Sequence, residues 1–479
     1  MNFAMIFVVL GWVSCFNAIF MLLPAFVGVI FNENASYAFS GSAIISLVIG
    51  VLILIFIKPK NKTLYSREGF VIVSLSWILL SLLGALPLFM SGAVPNFIDA
   101  LFESVSGFTT TGASIIHSVE ALPKCCLFWR SFTHWIGGMG VLVFIMAFLP
   151  LSGAGNMNLM KAESPGPMVG KLVPRVKSTA FLLYAMYLGL TIFEFICLLF
   201  VKMPVFYAVN TAFATAGTGG FGFLNDSMAS FSPIIQIIVT IFMILFGINF
   251  SAYFLILYRR WKDALRISEV WVYLGIITLS SIIITFNIRS LNDSIGDAAR
   301  NAAFTVSSII TTTGFSTADF NEWPELSKTI LLILMFTGAC AGSTSGGIKI
   351  SRFIIMFKTI IKEIRIQIHP KLIKKIKMDG HEINHETVRA LNTYLIVYIF
   401  IFSLSLLIIS AEGHDFITNF SSVAASLNNI GPGFELAGPT QNFAFFSPTS
   451  KIILIFNMLA GRLELFPIVI LFSPTTWRK

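Results

Sequence analysis

The chain has 479 residues, 56% of them hydrophobic and only 11% charged, with a formal net charge of +9. Soluble domains carry roughly 25% charged residues. The low charge, a mean hydropathy of +0.85 and many apolar stretches of bilayer-crossing length, about 20 residues as helix, exclude a large soluble α protein. No base-reading pattern accompanies the basic segments, so membrane topology explains them better than nucleic-acid binding does.

Taken in chain order, the apolar run from Met1 to Ile30 lacks a charged leader region and a cleavage site. It is expected to be a retained membrane helix rather than a signal peptide. With a second segment near 40–57 it forms a helical pair with no glycine turn between. After a basic loop (Lys58, Lys60, Lys62, Arg67) one unit recurs four times: spanning helix, short half-helix, glycine turn, spanning helix. The first copy runs 69–92, 96–108, 109–114 and 127–151. The second has spans near 178–201 and 232–258 around a turn at 218–221, and the third 270–288 and 327–355 around 312–316. The fourth has 391–411 and 449–473 around 429–434. The expected architecture is an all-α polytopic membrane protein, divided 1–68, 69–177, 178–269, 270–390 and 391–479. The first division is the N-terminal helix pair with its basic loop, and the others are four pseudo-repeats around a central pore.

Further basic loops hold Lys161, Lys171, Arg175 and Lys177, then Arg259, Arg260, Lys262 and Arg266. The longest carries Lys358, Lys362, Arg365, Lys371, Lys374, Lys375 and Lys377, whereas 31–40 has no Lys or Arg and Glu412-Gly413-His414-Asp415 is acidic. The positive-inside bias places the basic loops and both termini in the cytoplasm, and all four turns then fall in the opposite, outer half. Non-helical backbone at that depth is tolerated only where it is buried in protein or lines a watery path.

The turns are Thr110-Thr111-Gly112-Ala113-Ser114, Thr218-Gly219-Gly220-Phe221, Thr312-Thr313-Gly314-Phe315-Ser316 and Asn429-Ile430-Gly431-Pro432-Gly433-Phe434. A cation such as potassium sheds its water only where oxygens replace it, and rings of backbone carbonyls can do so. Aiming carbonyls at one axis takes backbone angles that glycine reaches without steric cost. One glycine per turn is expected to provide them: Gly112, Gly219, Gly314 and Gly431, with Gly220 beside the second. Thr111, Thr218, Thr313 and Ile430 complete the candidate filter. The half-helix before each turn points its partially negative end at the centre, which favours a cation.

Two nucleotide-like patterns fail on context. Gly217 to Gly222 satisfies Gly-x-Gly-x-x-Gly without the strand that a dinucleotide fold requires. Gly342 to Lys349 resembles a phosphate loop, but the Lys does not directly follow the last glycine and the stretch lies in an apolar span. Small and polar residues from Gly338 to Gly347 read two ways: close helix packing, or a broken helix whose loop, around Gly346 and Gly347, obstructs a pore beneath the filter. Lys349 and Arg462 favour the gate, because a charge at membrane depth costs a few kcal/mol and is usually functional. The alternative for Arg462 is a local pairing with Glu464 or a neighbour.

Glu103 and Glu194 read as ion or proton sites or as satisfied hydrogen-bonding groups. His134 reads as a packing residue, since no second ligand stands at metal-binding spacing. The five cysteines, Cys15, Cys125, Cys126, Cys197 and Cys340, form no zinc or redox spacing and read as packing residues. No convergent nucleophile, acid–base pair or metal set marks an enzyme.

At the four turns, at His134-Trp135-Ile136-Gly137-Gly138-Met139-Gly140, at Asn428 to Gly433 and at Ala460-Gly461-Arg462-Leu463-Glu464, the chain resembles the Trk/Ktr/HKT superfamily of potassium transporters. The resemblance covers nearly the whole chain. Its two departures are Gly222, where Ser is frequent, and Ser114 in place of Thr. It implies a homodimer with one pore per subunit, moving potassium inward across a bacterial inner membrane with potassium as substrate and no bound cofactor. It also implies a cytoplasmic TrkA-type nucleotide-binding regulatory ring, and a gate at Gly346, Gly347 and Arg462. Glycine at position 112 goes with potassium preference in the family and serine there with sodium transport. The competing readings are a sodium-conducting relative and, further off, a secondary transporter of an organic solute, which more often shows a two-part repeat.

Overall fold

Apolar length sets the frame. Six helices among the described residues are long and apolar enough to cross a bilayer, or seven if one bent pair counts as a single span. The structure, a computed structural model, describes residues 1–59, 64–140, 176–371 and 375–478. The last part of the span expected at 127–151 lies outside the described residues, as do Lys60, Lys62, Lys161, Lys171, Arg175 and Lys374.

Helices α1 (Phe3–Ile30) and α2 (Ala35–Phe56) form an antiparallel hairpin, and α1 packs onto α3 (Ser66–Met90) and α5 (Lys124–Gly138). Between α3 and α5 lies the short α4 (Phe97–Phe108). The arrangement recurs in α6 (Val176–Phe200), short α7 (Val205–Ala216), α8 (Pro233–Phe246) and α9 (Phe250–Leu257). It recurs again in α10 (Ser268–Asn287), short α11 (Ile295–Ile310), α12 (Glu325–Thr337) and α13 (Ile350–Ile368). The last set is α14 (His385–Ser410), short α15 (Phe416–Leu427), α16 (Pro448–Arg462) and α17 (Phe466–Phe472). Side-chain caps start three of the short helices: Asn96 accepts from Ile98 and Asp99 N–H, Ser294 from Asp297, and Asp415 from Thr418. Each satisfies donors that the first helical turn leaves open.

The spans after the turns are not the continuous helices that hydropathy suggests at 232–258 and 449–473. Helix α8 turns into α9 through 88° at residues 247–249. Helices α16 and α17 part at residues 463–465, where Glu464 and Leu465 take left-handed backbone (φ 52° and 69°). In the third set the broken form is the one found: α12 stops at Thr337, residues 338–349 run as a loop, and α13 begins at Ile350. Apolarity runs through such breaks because a lipid-facing or packed side chain is needed whether or not the backbone stays helical.

One small β ladder departs from the all-α expectation. Lys377–Met378 pairs antiparallel with His381–Glu382 across the turn Asp379-Gly380 in the long basic segment. Both turn residues have positive φ (49° and 84°), as a tight two-residue hairpin requires.

Large apolar side chains stay uncovered along whole helix faces: Leu47, Val51 and Ile55 on α2, and Ile396, Ile399 and Leu407 on α14. A soluble monomer rarely exposes contiguous apolar surface on this scale; lipid is the solvent these faces fit. Ser and Thr gather inside instead, on the buried faces of α4, α11 and α15.

Candidate functional site

Each short helix ends in the same way. After α4, Thr110 takes left-handed backbone (φ 55°), its N–H donates to the Gly107 carbonyl, and the Thr111 N–H reaches back to the Ser106 carbonyl at 2.9 Å. After α7, α11 and α15 the left-handed residues are Thr218, Thr312 and Asn429 (φ 53°, 57° and 55°). The next N–H groups, of Gly219, Thr313 and Ile430, donate to Ala214, Ser308 and Ala425 carbonyls at 2.9, 2.8 and 2.9 Å. This double closure satisfies helix-end carbonyls and normally uses glycine at the left-handed position. Here Thr or Asn fills it, and the glycine comes two residues later: Gly112, Gly220, Gly314 and Gly431 (φ 78°, 73°, 86° and 104°).

That register corrects one assignment. In the second turn the left-handed glycine is Gly220, while Gly219 occupies the place of Thr111, Thr313 and Ile430. The reason is His134: a Cβ on Gly219 would collide with its ring. The His134 Nδ1–H donates to the Gly107 carbonyl at 2.8 Å, and its Nε2 accepts the Phe221 N–H at 3.2 Å. The imidazole therefore fastens the first half-helix to the second turn as a neutral donor and acceptor at once.

The four glycines close a ring. A Cβ on Gly112 would strike the Gly219 carbonyl oxygen, one on Gly220 that of Thr313, and one on Gly314 that of Ile430. A Cβ on Gly431 would lie 2.8 Å from the Thr111 carbonyl oxygen. Each turn thus abuts the next in chain order, and the fourth returns to the first. All four glycines line one cavity, together with Ser114, Arg130, Asn225, Ser316 and Asn442. Each short helix runs C-terminally into its turn, so its partially negative end lies beside the ring.

Polar braces hold the ring. Asn429 Nδ2 donates to Thr111 Oγ1 and to the Met458 carbonyl, both at 2.9 Å, joining the fourth turn to the first. Thr109 pairs with Thr111, and Thr311 with Thr313, through hydroxyls 2.8 Å apart. Glu103, a candidate ion site from sequence, is instead paired: its Oε1 lies 2.7 Å from Arg130 Nε, and its Oε2 accepts the Ile115 N–H at 3.1 Å. Arg130 also donates to the Gly222 carbonyl at 3.0 Å and covers the Phe221 ring at 4.0 Å, so the pair ties the first two turns together. Glu194 is wholly buried on α6 and lines no part of the shared cavity.

Directly against the third turn lies the 338–349 loop. The Gly346 N–H donates to Thr312 Oγ1 at 2.7 Å, and a Cβ on Gly346 would stand 2.5 Å from the Asn428 carbonyl oxygen. Gly347 has left-handed backbone (φ 75°), and so does Lys349 (φ 80°). Buried Lys349 turns its Nζ back onto the Ser345 carbonyl and Oγ. Arg462 spans repeats: it donates to the Thr344 carbonyl at 2.9 Å and to the Gly137 and Gly138 carbonyls that end α5. Glu464 does not pair with it; its ion pair is with Arg352, in the first turn of α13.

Apolar spans, short half-helices and a closed ring of turns fit a multi-pass helical membrane transport protein. Residues 35–479 match the TrkH family of cation transport proteins, and the chain belongs to that family. It is 38% identical over 468 residues to the Trk system potassium uptake protein TrkH of Salmonella typhimurium, with 96% of each chain covered. The protein of that name from Halomonas elongata is 35% identical over the whole of both chains. The crystal structure of the potassium transporter TrkH from Vibrio parahaemolyticus superposes with a TM-score of 0.89 at 33% identity, again over both whole chains. The family is one of transporters, so the chain is not an enzyme.

Sequence reasoning missed Thr110, Thr312 and Asn429, the left-handed residues that set the geometry. The signal was present: aligning the turns on a Thr or Asn two residues before a glycine gives Thr-Thr-Gly, Thr-Gly-Gly, Thr-Thr-Gly and Asn-Ile-Gly.

Gly220→Ala will weaken cation selectivity in the same way as a side chain at Gly112, because it adds both a left-handed φ that alanine disfavours and a clash with the Thr313 carbonyl. Gly222→Ala will do less, since Gly222 has no left-handed φ and its Cβ would sit 3.3 Å from the Leu224 carbonyl oxygen, a tight contact that a shift of a few tenths of an ångström relieves. Cation flux through the purified variants checks both. Glu103→Ala will strand the Arg130 charge in the interior at a cost of about 3–5 kcal/mol, seen as a lower midpoint of thermal aggregation in detergent.

Proposed function

We propose that the chain takes potassium inward across a bacterial inner membrane through the ring of turns. In this reading Thr111, Gly112, Thr218, Gly219, Gly220, Thr313, Gly314, Ile430 and Gly431 form the filter. The carbonyls of Thr111, Gly219, Thr313 and Ile430 replace water around the ion, and the helix dipoles behind them favour positive charge. The observation that carries the proposal is the cyclic abutment of the four glycines on those same four carbonyls. The relatives' names, potassium uptake proteins of the Trk system, support the choice of ion.

Beneath the ring the 338–349 loop, with Gly346, Gly347 and Lys349, acts as the gate, and Arg462 holds it shut. What supports this is the span of its guanidinium, which ties Thr344 in the loop to the end of α5 in the first repeat. A fixed cation there also repels a passing ion. No catalysis is needed: an inside-negative potential of 100 mV is worth about 2.3 kcal/mol per monovalent cation, enough for roughly 50-fold accumulation at equilibrium.

The termini and basic loops then face the cytoplasm, the vestibule faces outward, and the chain divides into the N-terminal pair and four repeats at the boundaries expected from sequence. A homodimer and a cytoplasmic nucleotide-binding ring of TrkA type complete the assembly in this proposal; membership of a Trk system is its support.

The test is flux of potassium, rubidium, sodium and lithium into liposomes at fixed potential. Potassium and rubidium will enter with sodium and lithium excluded; equal passage of all four would overturn the selective filter. Gly112→Ser will erode potassium-over-sodium preference by about tenfold, or about 1.4 kcal/mol, measured as the ratio of initial rates. Arg462→Ala will raise basal flux several-fold in the same assay, and an unchanged or lower rate in folded protein would remove its gating role.

A further inference from the structure

The two ends of the 338–349 loop are fastened to a single oxygen atom. Glu269 Oε1 accepts the Ala341 N–H at 2.7 Å and the Ser351 N–H at 2.9 Å. Its side chain is buried, with 2% exposure, in the first turn of α10. A carboxylate is tolerable there because it meets a helix N-terminus and two backbone donors. While both bonds stand, the loop can flex in its middle but its ends can neither part nor slide past α10.

The preceding residue connects this clamp to the basic side. The Ser268 N–H, at the very start of α10, donates to Asp379 Oδ1 at 2.9 Å. Asp379 is the first turn residue of the 377–382 hairpin. The hairpin also grips the helix that leaves the loop: Lys358 on α13 donates through Nζ to the Lys377 carbonyl at 2.9 Å, and Met378 packs with Ile355 and Leu391. Displacing the hairpin therefore pulls on α10 and α13 together, the two helices that Glu269 joins across the loop.

We propose that Glu269 is a positioning residue for the gate and that the Asp379-Gly380 hairpin is the handle by which the cytoplasmic side sets the loop. The inference rests on the gate reading above. It goes further by naming the route, from Asp379 through Ser268 and Glu269 to Ala341 and Ser351. Coupling by this route needs a two-state element biased at both ends; the loop and the hairpin are those ends.

The test uses the full chain in liposomes with two readouts: rubidium flux, and maleimide reaction of Cys340, which sits in the loop with 0% exposure. The other four cysteines are replaced by serine. Glu269→Ala and Asp379→Ala will each raise basal flux several-fold and expose Cys340. Glu269→Gln will stay near wild type in both readouts, since an amide oxygen still accepts the two N–H groups. The double alanine variant will not exceed Glu269→Ala alone, because both substitutions cut one route. Wild-type flux with Cys340 still protected in both single alanine variants overturns the proposal, and so does Glu269→Gln behaving like Glu269→Ala. If Glu269→Ala aggregates, the half-buried turn residue Asp379 carries the test by itself. Should Arg462→Ala leave flux unchanged while Glu269→Ala and Asp379→Ala expose Cys340, the clamp stands and the gate reading falls.

Discussion

The structure depends on four places where a side chain cannot exist. At Gly112, Gly220 and Gly314 a Cβ would overlap the next repeat's carbonyl oxygen, and at Gly431 it would crowd one. The same four residues hold backbone angles that L side chains rarely adopt. Close approach and unusual conformation coincide because each demands the other: only a left-handed turn swings the chain near enough to touch its neighbour. Much of the surrounding polar structure keeps these approaches fixed. His134, the Glu103–Arg130 pair and Asn429 each bridge two different repeats, not two parts of one.

Outside the ring, the helices that follow the second, third and fourth turns are broken. The breaks free backbone carbonyls, and the cations near them use them. Arg462 meets Thr344, Gly137 and Gly138 carbonyls, Lys349 meets Ser345, and Arg352 meets Ile348. A buried charge is costly until donors and acceptors match, and unwound backbone supplies acceptors that an intact helix keeps for itself. Broken helices and embedded cations are thus one feature.

Hydropathy made the long spans, the four half-helices and the position of each turn legible, because bilayer thickness dictates length and glycine marks departures from helix. The kinks after Phe246 and Arg462 were not legible, since hydropathy averages over a window wider than the three residues of each bend. Nor were the partners of the charged residues. Glu103 finds Arg130 27 positions later, and Arg462 contacts carbonyls 325 and 324 positions earlier. Spacing along one helix carries no trace of such pairs. The second turn shows the same limit at smaller scale: two adjacent glycines satisfy the pattern equally, and only the ring of a distant histidine decides between them.

The four quarters meet the same axis with different residues before the glycine: Thr111, Gly219, Thr313 and Ile430. In an assembly of four identical chains, one codon change alters every quarter together, so intermediate states are skipped. A single polypeptide has no such restriction. Its ring can be retuned one quarter at a time, and each quarter can specialise: the second around an imidazole, the third around the loop beneath it, the fourth around an asparagine that reaches back to the first. One chain holding all four quarters thus exchanges symmetry for graded adjustability.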